Sequence, residues 1–388
     1  MNHAMIEKRN PLIGDDFSTY SKNIVTGSGK KAVFTGGISY AYAKEYLQDY
    51  PEVKLCKIST PYPFPEKFVL SCLEELSPFI EAEVTKLIGK HRLNIKVYGK
   101  ESGYVKTSGE NSADYVAKVL SDFLKIPSQE AGIYLGDMPD LPVRPPVLCA
   151  GCPHRASFYA VKKAMEGKNA YFCGDIGCYT LGNAMPLDMV DTCLCMGAGI
   201  TMAQGFHWVD KEGTCFAFVG DSTFFASGMT GIVNAVYNEA DMILCVLDNS
   251  TTAMTGHQPH PGTGKNMMGD IVDKISIEHI LEGMGVKKIV TVNPLDLNKS
   301  VEVIKDCASL PGVKAIIFKS PCIALFKPEK KLCISDKCIQ CKKCIREIGC
   351  PAISTVKGKV TINEDLCTGC GLCSQVCPVN AIGGDLDE

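Results

Sequence analysis

Several features that would simplify this sequence are missing from it. No apolar run approaches the ~18 residues that a membrane-crossing helix needs. The opening Met1-Asn2-His3-Ala4-Met5 lacks the apolar core of a signal peptide. With 43 acidic residues against 40 basic ones, the net charge is −3, which gives no electrostatic reason to expect nucleic acid or an anionic membrane. Together these absences lead to the expectation of a cytoplasmic protein. Cysteine, by contrast, is abundant: 21 in 388 residues. Disulfide scaffolds belong to small secreted domains rather than to a chain of this size, and clustered cysteines point to metal instead. The length suffices for two or three domains with cores of their own.

Residues 1–30 are polar and read as a leading segment. From Lys31 the pattern is α/β, with strands at Ala32-Val33-Phe34 and Val53-Lys54-Leu55-Cys56. Helices are expected over Ala41–Leu47, Lys67–Leu76 and Ala113–Leu124. Cys56 and Cys72 are most simply buried small hydrophobes. The proline-rich stretch Met138–Pro146 marks the clearest boundary. Three domains are expected: an α/β domain over 1–137, a parallel-sheet α/β domain over 138–327, and a small α+β domain over 328–388.

The middle domain is organised around Thr214–Gly264. An apolar run, Cys215-Phe216-Ala217-Phe218-Val219, ends in Gly220-Asp221-Ser222. A helix-like segment, Gly228–Glu239, precedes a second run, Met242–Leu247, that ends in Asp248-Asn249-Ser250. This reads as strand, turn, helix, strand, turn, one unit of a parallel sheet. Such sheets bind ligands beyond the carboxyl ends of their strands. A carboxylate and an amide oxygen presented together there suit a hard divalent cation, Mg²⁺ shared with a diphosphate above all. The loop Thr255–Gly264 carries His257 and His260 and reads either as a functional lid or as a solvated loop. Upstream, Cys149-Ala150-Gly151-Cys152 opens a helix at Ala156–Ala164. A C-x-x-C pair admits redox, zinc and iron–sulfur readings. No second pair lies at zinc-ribbon spacing and proline stands where a thioredoxin strand would, so cluster ligation is favoured. Gly197-Ala198-Gly199 is a tight turn into an apolar helix, which can bring backbone close to a ligand or simply pack. Alternating elements follow at Ile277–Gly283, Lys288–Val292, Leu297–Asp306 and Val313–Phe318, and then Cys322.

The last domain gives the strongest signal. Cys338, Cys341 and Cys344 precede Cys350-Pro351, and Cys367, Cys370 and Cys373 precede Cys377-Pro378. The second run has bacterial two-cluster ferredoxin spacing, and the first carries five residues rather than three before its fourth cysteine. In that pattern the fourth cysteine of each run ligates the other cluster. One [4Fe–4S] cluster is therefore expected on Cys338, Cys341, Cys344 and Cys377, and another on Cys367, Cys370, Cys373 and Cys350. Cys333 is spare.

The 214–251 unit resembles the thiamine diphosphate motif, Gly-Asp-Gly followed by Asn-Asn, with one residue departing at each end. That resemblance implies Mg²⁺ on Asp221, Asn249 and the Thr251 carbonyl, and cofactor contacts from Gly220, Ser222, Gly197, Gly199 and His257. Joined to a ferredoxin tail, it resembles the 2-oxoacid:ferredoxin oxidoreductases. Within them it is similar to the large (alpha) subunit of the indolepyruvate, or arylpyruvate, branch. The residues that carry this are Cys149–Arg155, Gly174–Cys178, Cys195–Gly199, Gly220–Ser222, Asp248–Gly256 and the tail, within a resemblance from about residue 30 to the end.

The resemblance implies a transketolase C-terminal-like first domain and a thiamine diphosphate-binding second one. It implies oxidative decarboxylation of arylpyruvates with coenzyme A to arylacetyl-CoA and CO₂, the electrons passing through [4Fe–4S] clusters to ferredoxin. Cys149, Cys152, Cys178 and Cys322 would hold a third, proximal cluster. The activating acid of such enzymes lies on a pyrimidine-binding domain; either another polypeptide supplies it, the favoured expectation, or the chain is truncated and inactive alone, and a smaller beta subunit is expected as well. The 70–81 stretch is expected to lack a strand that the family has. Two alternatives stay open: a relative acting on another 2-oxoacid, and a non-catalytic iron–sulfur electron-transfer protein.

Overall fold

A computed structural model describes residues 3–72, 75–78, 81–126, 145–327 and 331–384. The chain divides into two compact units, Met1–Leu141 and Pro142–Glu388. Most of the proline-rich boundary, residues 138–144, lies outside the described residues.

The first unit is built on β1 (Ile24–Thr26), β2 (Lys31–Thr35), β3 (Lys54–Lys57) and β4 (Glu75–Pro78), in the order β1-β3-β2-β4. β2 runs parallel to β3 and β4, and β1 is the antiparallel edge. β2 buries Ala32, Val33, Phe34 and Thr35 in succession because helices cover both faces. Val33 and Leu55 face the helices Gly37–Tyr46 and Ala113–Leu124. Ala32, Phe34 and Cys56 face Glu66–Cys72 and Glu81–His91, where Cys56 and Cys72 are both buried. Three expectations change. Residues 3–18 form a helix, which has no strong apolar stripe to announce it. The helix expected over Lys67–Leu76 ends at Cys72. The stretch expected to lack a strand contains β4, whose four residues hold too short an alternation to be read.

The second unit carries a five-stranded, wholly parallel sheet: β5 (Ala170–Cys173), β6 (Thr214–Gly220), β7 (Met242–Asp248), β8 (Lys288–Val292) and β9 (Val313–Lys319), in the order β5-β6-β7-β9-β8. Every residue of β7 is buried, as a central strand covered on both faces requires. One face, Cys215, Ala217, Val219, Leu244 and Val246, packs with Ile200, Ile232 and Leu281 of three helices. The other, Phe216, Phe218, Ile243, Cys245 and Ile316, meets Phe158 of the helix Pro153–Ala164 and Ile304 of Leu297–Ala308. That second core continues without a break into Cys344, Ile348, Leu372 and Val376 of the carboxyl-terminal region. The carboxyl-terminal region is therefore not tethered as a bead; it shares apolar core with the sheet.

This region has two short hairpin-like pairs and two short helices. β10 (Cys333–Ile334) pairs with β13 (Ile382–Gly383), and β11 (Ile353–Val356) with β12 (Lys359–Ile362), both antiparallel. The helices Lys343–Ile348 and Leu372–Val376 each contain the third cysteine of a run, Cys344 and Cys373. Polar ties fix it to the sheet: Gln375 donates to the Leu295 carbonyl at 2.7 Å and accepts from the Leu297 N–H at 3.0 Å. Tyr159 donates to the Glu347 carboxylate.

The helix expected at Gly228 begins earlier, at Asp221 itself. It runs through a π-helical turn, Phe224–Gly228, into the α-helix Met229–Tyr237. Ser and Gly in the first turns blur the apolar period that would have marked it, and π turns of this sort frequently border functional sites.

Candidate active site and cluster sites

The carboxyl ends of β5, β6 and β7 present Asp175, Asp221 and Asn249 within one unit. Asp221 is 3% exposed. Its Oδ1 accepts from the Ser222 N–H at 2.8 Å and its Oδ2 from the Asn249 N–H at 3.1 Å. The second bond ties the two turns together across the β6–β7 pair. Asn249 and Thr251 are also buried, and the Thr251 N–H donates to Asn249 Oδ1 at 3.3 Å. Asp248 is turned from the other two by the Ser250 N–H at 3.1 Å and by Lys319, whose ammonium lies 3.4 Å from Oδ2. Burial and the neighbouring Asp221 push its carboxyl up from the usual range.

Two histidines finish this corner, and neither is His257. His257 is exposed on its loop, in the left-handed region at φ 62°. His260 is buried, stacks on Phe225, and places Nε2 3.1 Å from Asp221 Oδ2. Because the Gly262 N–H donates to His260 Nδ1, the proton of a neutral ring sits on Nε2, yet that nitrogen has no aligned acceptor. On the opposite side His154 lies 3.2 Å from the Asn249 side-chain nitrogen through Nε2. Burial, opposed in part by Asp221, pushes the His154 imidazolium down to about 4, so the ring is neutral at pH 7 and accepts from the amide. The amide is thus held at both ends, its nitrogen by His154 and its oxygen by the Thr251 N–H. Sequence reasoning placed His154 only within a cluster motif; its role is visible only when the helix after Cys152 is packed under the sheet edge.

Gly197 adopts φ 90°, a region that excludes most side chains, and a β-carbon there would stand 2.9 Å from Ser227 Oγ. Its N–H donates to Asp175 Oδ1 at 2.9 Å, and the Ile176 N–H donates to the same oxygen at 2.8 Å. Asp175, fully buried, thus pins the Gly197 turn to the end of β5. Gly199 packs: a β-carbon would stand 3.1 Å from the Cys173 carbonyl oxygen. Asp221, Ser222, Asn249, Thr251, Gly220 and His154 line one cavity of about 320 Å³, a size that suits a small-molecule site. Cys178 stands in its wall.

The remaining cysteines fall into separate neighbourhoods. The thiols of Cys322 and Cys149 act electrostatically on Cys178, and that of Cys149 on Cys152. The Cys322 N–H donates to the Asn249 carbonyl at 2.9 Å, which seats Cys322 beside the Asn249 turn. Cys350, Cys367, Cys370 and Cys373 line a single small cavity, and Ala150 and Gly151 of the C-x-x-C loop form another wall of it. The Cys338 and Cys341 thiols act on Cys344. Backbone N–H groups donate to sulfur at Cys367 (from Leu332, 3.5 Å) and Cys377 (from Ala381, 3.3 Å). Cys333 instead donates to the Gly383 carbonyl at 3.4 Å.

These donors fit the expected groups. One carboxylate with amide and carbonyl oxygens is a hard-cation set. Three closely spaced thiols with a remote fourth, opening on a common cavity, fit a cubane. Among the described residues no three His, Cys, Asp or Glu groups converge on one metal ion.

Comparison with known proteins agrees. Residues 175–318 match the family described as thiamine pyrophosphate enzyme, C-terminal TPP binding domain, and residues 360–383 match the 4Fe-4S binding domain. The indolepyruvate oxidoreductase subunit IorA of Archaeoglobus fulgidus is 38% identical over 379 residues, covering 92% of this chain and 60% of the relative. That of Methanothermobacter thermautotrophicus is 37% identical over 402 residues, covering 98% and 64%. Among solved structures, a 2-oxoglutarate:ferredoxin oxidoreductase from Magnetococcus marinus covers 50% of this chain and 71% of its own, with 18% identity and a TM-score of 0.39. The chain spans between 60% and 64% of the length of these two curated relatives. It is a homologue of the IorA subunits of indolepyruvate oxidoreductases, with a thiamine pyrophosphate-enzyme domain and a 4Fe-4S binding domain in one polypeptide.

Proposed function

We propose that this chain is the thiamine- and cluster-bearing part of an indolepyruvate:ferredoxin oxidoreductase of the cytoplasm. The reaction is oxidative decarboxylation of arylpyruvates with coenzyme A, giving arylacetyl-CoA, CO₂ and two electrons for ferredoxin. The observation that carries this reading is serial placement. The Asp221 cavity has Cys178 in its wall, Cys178 neighbours Cys149 and Cys322, and the loop from Cys149 to Cys152 walls the cavity of Cys350, Cys367, Cys370 and Cys373. A carbanion-stabilising centre and a chain of one-electron carriers would thus adjoin.

Bound thiamine diphosphate supplies the electron sink for decarboxylation. In this reading Asp221, Asn249 and the Thr251 carbonyl hold its Mg²⁺. Neutral His154 orients the Asn249 amide without adding positive charge beside the cation. His260, with Nε2 3.1 Å from Asp221 Oδ2, holds that carboxylate in place, and Gly197 admits backbone close to the ligand. Cys149, Cys152, Cys178 and Cys322 hold the proximal [4Fe–4S] cluster, and the two ferredoxin-type clusters follow in line. The pyrimidine-binding domain with its activating acid comes from a separate segment or polypeptide, and a smaller beta subunit completes the enzyme. Support for such a neighbour is the loop beyond Asn249, which exposes Met254, Met267, Met268 and Ile271, the last three by at least 80%.

The test is Asp221→Ala in the anaerobically purified complex. Thiamine diphosphate with Mg²⁺ is expected to bind at least 100-fold more weakly while iron and sulfide stay at native levels. Unchanged cofactor affinity would refute the assignment.

A further inference from the structure

The helix that follows Cys152 sends Arg155 away from solvent, 4% exposed, toward the carboxyl-terminal region. Its Nη1 donates to the carbonyls of Ile348 at 2.8 Å and Gly349 at 2.9 Å, the residues just before Cys350. Its Nη2 donates to the Leu148 carbonyl, just before Cys149. One guanidinium thus grips the approach to one cysteine set and to the other. Its Nε has no partner. The thiols of Cys350, Cys370, Cys152 and Cys149 act on its charge, two from each set. Three backbone carbonyls hold the fork but do not neutralise it.

A buried cation without a bound carboxylate is costly. It is retained where the surroundings become anionic, and thiolate-bound clusters make them so. A fixed positive charge favours the more negative, reduced state of a nearby cluster and so raises its reduction potential; local charge is one of the recognised levers on such potentials. The planar fork matters too, because a lysine cannot reach three carbonyls on two strands of chain at once.

We propose that Arg155 is a positioning and potential-setting residue shared by two cluster sites. It fixes the Cys149–Cys152 loop against the Cys350 loop, and its charge raises the potential of the clusters on both sides of it. This rests on the cluster assignments of the preceding section. Arg155 moves no proton and touches no substrate.

The experiment is an EPR-monitored redox titration of the native complex and of its Arg155→Gln and Arg155→Lys variants, with iron and sulfide counted first. A native complex without cluster iron would overturn the cluster assignments themselves, whatever Arg155 does. With full iron, Arg155→Gln is expected to shift the reduction equilibrium of at least one cluster at least tenfold toward the oxidised state, about 59 mV for a one-electron couple, and Arg155→Lys to recover most of it. Midpoints equal to native in an iron-replete Gln variant would overturn the proposal and leave Arg155 a purely structural clamp. Should the Gln variant lose iron, the Lys variant decides. It keeps the charge and loses the fork, so native midpoints are expected, and a tenfold fall overturns the proposal.

Discussion

Replacing Gly151 by alanine tests whether the C-x-x-C loop is truly built against the second cysteine run. Gly151 sits at φ 72°, where an L side chain costs roughly 1–2 kcal/mol. A β-carbon there would also overlap Thr368 Oγ1 and stand 2.9 Å from its β-carbon. Thr368 Oγ1 is buried, so the side chain has little open space to turn into. Overpacking of this kind adds about 1–3 kcal/mol, for an expected total of about 2–5 kcal/mol. Gly167 is the control: its φ of 75° is nearly the same, but a β-carbon there would meet nothing within 4 Å. Gly167→Ala is therefore expected to cost only the backbone share, roughly 1–2 kcal/mol. Thermal unfolding followed by circular dichroism, with iron counted on the same samples, reads both. Gly151→Ala is expected to melt lower than Gly167→Ala and to lose iron. Adding Thr368→Gly should recover part of the loss, as residues in contact do not add independently. Equal melting of the two alanine variants with equal iron would refute the contact.

Other outcomes follow from the same geometry. Cys350→Ser is expected to lose iron from the cluster that also uses Cys367, Cys370 and Cys373, whereas Cys333→Ser, whose thiol only meets the Gly383 carbonyl, keeps all of it; iron analysis separates them. Ser112 caps the helix Ala113–Leu124 by accepting from the Tyr115 N–H, so Ser112→Ala should destabilise the first unit by about 1 kcal/mol without changing iron content. Phe158, fully buried with its ring centroid 4.7 Å from that of Phe218, lies in the core shared with the cluster region. Phe158→Ala should cost about 3–5 kcal/mol, read by the same thermal melts.

What was legible in the sequence was whatever repeats at a fixed spacing. The β6–helix–β7 unit announces itself by two apolar runs ending in Asp221 and Asn249, and the cluster region by its cysteines. The elements Ile277–Gly283, Lys288–Val292 and Ala113–Leu124 have the observed bounds because their apolar periods are clean. What was not legible depends on packing across long sequence separations. His154 reaches Asn249 from 95 positions away, and Arg155 reaches Gly349 from 194, so neither has a local signature. Of two histidines three residues apart on one loop, only the fold decides that His260 turns in and His257 out. The early start of the helix at Asp221 was hidden because Ser222, Ser227 and Gly228 break the apolar period of its first turns. The four-residue β4 was missed for want of length.

The claim that a thiamine cavity feeds a line of clusters is tested most directly by EPR on the anaerobic native complex, mixed with indolepyruvate and coenzyme A, beside its Asp221→Ala variant. Reduced [4Fe–4S] signals are expected in the native complex and none in the variant, with dithionite reducing the clusters of both. Substrate-driven reduction that survives Asp221→Ala, or a native complex reducible by dithionite but never by the 2-oxoacid, would contradict it.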